Sequence, residues 1–160
     1  MHIELPAALR ERLSGIRWFA LAAVLALVIG GLVAAAVAHA PTQPMVWMVA
    51  FLVLVTGFAQ MVLALGQGLL PEHLPSATWR HGEWWLFNLG NLGVIVGTLR
   101  MQPPLVMLGT VLFIASLVAF YVGVRGGKAG WLLHAFRAVL VVVCAGACVG
   151  LALSLGGLRV

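Results

Sequence analysis

Five long apolar runs constrain this chain more than any other feature. Trp18 to Ala38, Val46 to Leu70, Trp84 to Leu99, Leu105 to Val124 and Trp131 to Leu155 are almost without formal charge. A hydrocarbon core about 30 Å thick is crossed by roughly 20 helical residues. Only helices and closed barrels satisfy their backbone in lipid, and continuous apolar runs, unlike alternating ones, select helices. Charged residues make up 8% of the 160-residue sequence, against about 25% in a soluble domain. The expectation is an all-α polytopic membrane protein, an antiparallel bundle of five transmembrane helices. The loops between the runs are short, which forces sequential helices to be antiparallel neighbours. Residues 1–17 form an N-terminal segment and residues 18–160 a single transmembrane domain. No stretch is left for an extramembrane catalytic domain, a phosphate loop or a nucleic-acid module.

The net charge of +5 has a topological reading. Arg10, Arg12, Arg17, Arg80, Arg125 and Lys128 fall on one side of the predicted bundle, and only Arg100 and Arg159 on the other. The positive-inside rule then puts the N-terminus in the cytoplasm, the C-terminus outside, and the protein in the cell (inner) membrane. Trp18, Trp47, Trp84, Trp85 and Trp131 stand at span ends, as interfacial aromatics do. Leu5, Leu9, Leu13 and Ile16 give the N-terminal segment an apolar stripe, predicting a short amphipathic helix along the inner surface. A second reading of the N-terminus exists: its arginines, the first apolar run and Ala38-His39-Ala40 together mimic a cleaved signal sequence. That run is about twice the usual signal length, which favours a retained helix.

Gly93-x-x-x-Gly97 and Gly146-x-x-x-Gly150 present small grooves for close helix approach, within the monomer or in a homo-oligomer. Cys144 and Cys148 lack C-x-x-C spacing and read as small buried apolar residues.

Polar side chains in lipid are costly and therefore informative. Thr56, Gln60 and Gln67 share one helical stripe of span two, and Asn88, Asn91 and Thr98 one of span three. His134, Arg137, Cys144 and Cys148 share one of span five. Each stripe is expected to face protein. Gln60, Gln67, Asn88, Asn91, Glu83, His134 and Arg137 are the candidate ligand pocket, opening towards the basic side. Arg137 requires a partner, for which Glu83, a lipid phosphate, a quinone oxygen or a heme propionate are candidates. Interhelical packing bonds are the structural alternative for the amides. His73, His81 and His134 lie near the same side, but no H-x-x-H or C-x-x-C spacing points to a metal. No nucleophile–base constellation or paired intramembrane carboxylates can be assembled, so no catalytic residue is assigned.

Gly57-Phe58, then Gly66-Gln67-Gly68-Leu69-Leu70-Pro71, then Trp85-Leu86-Phe87-Asn88-Leu89-Gly90-Asn91-Leu92-Gly93 resemble small membrane proteins related to the heme-copper oxidase catalytic subunit. The similarity covers about Arg17 to Val124. The resemblance implies a helical scaffold of that family and a link to respiratory or heme/copper membranes. It also exposes a departure, because Ala50, Phe51 and Leu52 occupy the zone where the family places a heme-ligating histidine. The low-spin heme ligand would therefore be lost, with His134 the remaining axial candidate. The expected role is a non-enzymatic accessory or binding subunit, embedded in the bilayer as a homo-oligomer or beside respiratory-complex subunits. The alternatives are a heme- or quinone-binding redox protein and a small-solute transporter or channel subunit.

Overall fold

The computed structural model describes residues 6–127 and 130–156. Leu5 of the predicted apolar stripe and Lys128 and Arg159 of the charge asymmetry lie outside the described residues. The described residues form five helices and no strand: α1 (Ala7–Val37), α2 (Gln43–Leu69), α3 (Ala77–Leu99), α4 (Pro103–Gly123) and α5 (Trp131–Gly156). α1, α2, α4 and α5 are long and apolar enough to cross a membrane, making this a multi-pass helical protein. α3 has 23 residues, about 35 Å of helix, also a sufficient length. Glu83, Asn88 and Asn91 keep it less apolar than its neighbours.

Helix boundaries follow local chemistry. Ser76 caps α3 by accepting a 3.2 Å bond from the Trp79 amide, so this helix begins seven residues before the expected start at Trp84. Pro103 and Pro104 open α4, where their fixed φ and missing N–H are tolerated. α3 ends in a turn closed by the Gln102 amide on the Gly97 carbonyl at 2.8 Å, with Met101 at φ 53 in a position that favours glycine. Residues 7–17 do not form a separate surface helix but run without a break into α1, 31 residues in all. Roughly 20 residues suffice to cross the hydrocarbon, so α1 has length to spare for the residues at its start. They are held there by Arg12, whose guanidinium donates to the carbonyls of Gly68, Pro71 and Glu72 at 2.9, 3.1 and 2.9 Å.

α2 carries a π-helical segment from Leu52 to Ala59, which widens the turn and re-aims the rest of the helix. α1 packs on it: a Cβ at Gly57 would lie 2.7 Å from the Leu27 side chain, and one at Gly30 2.7 Å from Val53. α3 and α4 form the second and tighter hairpin. A Cβ at Gly109 would lie 2.5 Å from the Val94 amide nitrogen, and one at Gly90 2.6 Å from that of Phe113. Gly93-x-x-x-Gly97 therefore works inside the monomer, together with Gly90 and Gly109. Nothing lies within 4 Å of a Cβ at Gly146 or Gly150, so that pair faces outward. The two hairpins join over a core in which Phe19, Phe87, Phe113 and Phe120 interlock, Phe19 and Phe120 edge-on at 5.3 Å.

The α2–α3 connection is the lid over this core at the basic end, and Arg12 is its main anchor. Arg12→Ala is expected to cost about 2 kcal/mol by orphaning three carbonyls. It should also speed proteolysis between Leu70 and Ser76, read as a cleavage rate in detergent; an unchanged rate would count against the anchor.

Candidate functional site

The interior face of α2 after its π segment presents Gln60, Leu63, Ala64 and Gln67, all buried. The opposing face of α3 presents Glu83, Phe87 and Asn91, each four residues from the next and each buried. Because the two helices run antiparallel, their polar groups meet as a ladder. At the basic end, the Gln67 side-chain amide donates to Glu83 Oε2. The Trp79 indole, one turn before Glu83, donates to Glu83 Oε1 at 2.7 Å. α4 makes room for this cluster with Gly123, where a Cβ would lie 3.2 Å from both Gln67 Nε2 and Glu83 Oε1. At the next rung the Gln60 amide donates to Asn88 Oδ1 at 3.4 Å, while Asn88 Nδ2 donates to the Trp84 carbonyl at 2.8 Å. One turn further along each helix stand Thr56 and Asn91.

The upper part of the ladder is under-bonded. Asn91 is 1% exposed, and neither its Nδ2 nor its Oδ1 has a hydrogen-bond partner among the described residues. The same holds for Thr56 Oγ1 and Gln60 Oε1 and, at the basic-end rung, for Gln67 Oε1. An amide held away from water without a partner costs about 1–3 kcal/mol by mutational measures. The arrangement can donate and accept hydrogen bonds to a small polar group between α2 and α3, and it holds one titratable group, Glu83, at its basic end.

Of the predicted pocket residues, the structure brings Gln60, Gln67, Glu83 and Asn88 together and places Asn91 on the same face. It does not bring His134 or Arg137 to them. His134 is exposed on α5, and Cys148 of the same predicted stripe is exposed too. Arg137 lies with its guanidinium carbon 5.5 Å from the Tyr121 ring centroid, and Arg125 lies 5.6 Å from the same ring. It therefore lies over an aromatic face on α4, its buried Nε without a hydrogen-bond partner among the described residues, while Glu83 is bonded to Gln67 and Trp79. α5 meets the bundle through Leu133, Phe136 and Leu140, and this ridge turns His134 outward. Trp79, Gly123 and Arg12 are the contributors that sequence reasoning missed. The signal for Trp79 was present in Ser76, whose N-cap preference starts the helix early enough to set an indole one turn from the carboxylate.

These residues do not fit an internal heme. Ala50, Phe51 and Leu52 offer no nitrogen ligand, and His134 points away from the ladder. No group of three or more His, Cys, Asp or Glu side chains suited to a metal ion occurs among the described residues. Searches of protein-family profiles, curated proteins and solved structures return no match to this chain.

Proposed function

We propose that this chain is a non-enzymatic accessory or binding subunit of a membrane complex, crossing the bilayer five times with its basic end in the cytoplasm. The observation that carries this reading is the ladder between α2 and α3, which ends in a buried Asn91 with both amide atoms unpartnered. Such a group is expensive in lipid and is retained where it meets something: a small polar ligand or a neighbouring subunit. The outward Gly146-x-x-x-Gly150 groove on α5 supports a subunit role, because it lets a second helix approach closely. The resemblance to oxidase subunit I-like proteins points to respiratory or heme/copper membranes as the setting.

The test is native electrophoresis of the tagged chain from gently solubilised membranes, with a visible spectrum before and after dithionite. The chain is expected to migrate within a larger assembly, to be released by Gly146→Leu, and to show no Soret band of its own. A chain that always runs alone would sink the accessory role. A Soret band lost in His134→Ala would replace it with the redox reading.

A further inference from the structure

At the basic end, α1 and α3 enclose a second polar feature beside the ladder, sharing with it Trp84, whose carbonyl accepts from Asn88. A cavity of about 260 Å³ is lined by Ser14, Arg17, Trp18, Arg80, His81 and Trp84, with three basic side chains and no acidic one among the described residues. The Trp84 indole donates to the Trp18 carbonyl at 3.1 Å and ties the two helices together there. Arg80 donates to the Pro75 carbonyl, and Gly15 lets its guanidinium lie against α1: a Cβ there would be 3.5 Å from Nε and 3.6 Å from Nη2. Arg17 has its guanidinium carbon 5.2 Å from the Trp18 ring centroid and makes no ion pair with a carboxylate among the described residues.

The larger cavity at this end, about 440 Å³, makes the contrast. Its arginine, Arg12, is spent on three backbone carbonyls, and the acidic Glu72 is also in the lining. Positive charge is therefore available to a ligand in the smaller cavity. A guanidinium with an imidazole in the same lining can donate to the oxygens of a phosphate. Trp18 and Trp84 mark the level where lipid meets water. Further along, the exposed Leu21 and Leu25 of α1 and Leu89 of α3 continue the flanks as apolar surface.

We propose that this cavity binds the phosphate of an anionic glycerophospholipid, with the acyl chains along Leu21, Leu25 and Leu89. A free phosphate would use the same arginines but gain nothing from that apolar surface. The inference is independent of the accessory-subunit reading and would stand if that failed.

Native mass spectrometry in a neutral detergent tests it, with phosphatidylglycerol and phosphatidylcholine supplied in equal amounts. The intact chain is expected to retain a single phosphatidylglycerol with about tenfold preference, as two uncommitted basic groups near a headgroup imply. Millimolar inorganic phosphate should leave that preference in place. Arg17→Gln/His81→Gln should reduce it to within about twofold of parity, while Arg10→Gln, outside the cavity, should not. Arg80 is spared because its bond to Pro75 helps hold the loop, so loss of binding in the double variant cannot be assigned to unfolding there. Equal retention of both lipids by the wild-type chain, or an unchanged preference in the double variant, overturns the site. Abolition of the preference by inorganic phosphate overturns the lipid and reassigns the cavity to a free anion.

Discussion

Gly109→Val is expected to destabilise the bundle by about 3 kcal/mol, near the upper end for overpacking, because the obstacle is backbone and not a side chain that can turn aside. A Cβ at Gly109 would meet the Val94 amide nitrogen at 2.5 Å, the Gly90 carbonyl oxygen at 2.8 Å and the Gly93 carbonyl carbon at 2.8 Å. All three atoms belong to α3, so relief requires the two helices to move apart. That separation would also loosen Phe87 against Phe113, whose centroids are 5.2 Å apart. Gly31→Val is the internal control: nothing lies within 4 Å of its Cβ position, and valine there should change stability by no more than about 0.5 kcal/mol. Urea titration in mild detergent, followed by tryptophan fluorescence, reads both. Equal losses would mean that α3 and α4 do not depend on the close approach.

The two glycine pairs have the same spacing and opposite surroundings, and this marks where the sequence stops being informative. Helical character, the approximate number of helices and the small-residue faces were legible, because each follows from local composition and period. So were the amide stripes: Gln60 and Gln67 share one face of α2, and Asn88 and Asn91 lie close on α3. Which face of α5 turns inward was not legible. Arg137 and His134 look like interior polar groups by their spacing, yet Leu133, Phe136 and Leu140 win the contact with the core and carry Arg137 to the rim over Tyr121. The continuity of α1 through residue 17 is accompanied by Arg12 reaching three carbonyls at the end of α2 and in the loop after it, about sixty residues away, a contact no local pattern encodes. The π segment at Leu52–Ala59 had no local signal either; packing of Gly30 and Gly57 against α1 and α2 side chains accompanies it.

Glu83→Leu is expected to cost about 3 kcal/mol, and the way that loss is shared should reveal how the ladder is held. The carboxylate is 1% exposed and accepts from both Gln67 and Trp79. Leucine fills much of the volume but leaves an amide and an indole without an acceptor, at about 1–3 kcal/mol each, partly offset because no acid need then be buried. Glu83→Gln keeps one acceptor oxygen, so about 1 kcal/mol is the expected loss. The decisive variant is Gln67→Leu/Glu83→Leu. Removing both partners of a buried hydrogen bond is far less costly than removing one, so the double variant should fall short of the summed single losses by about 1–2 kcal/mol. Strict additivity in the same urea titration would show that Gln67 and Glu83 do not act as a pair. A coupling of the expected size would make their bond a fixed base for the ladder, packed so closely on α4 that even a Cβ at Gly123 would crowd both groups at 3.2 Å. Binding at Asn91 would then take place against a rigid lower rung, with the unpartnered atoms two helical turns above Glu83 left to select what enters between α2 and α3.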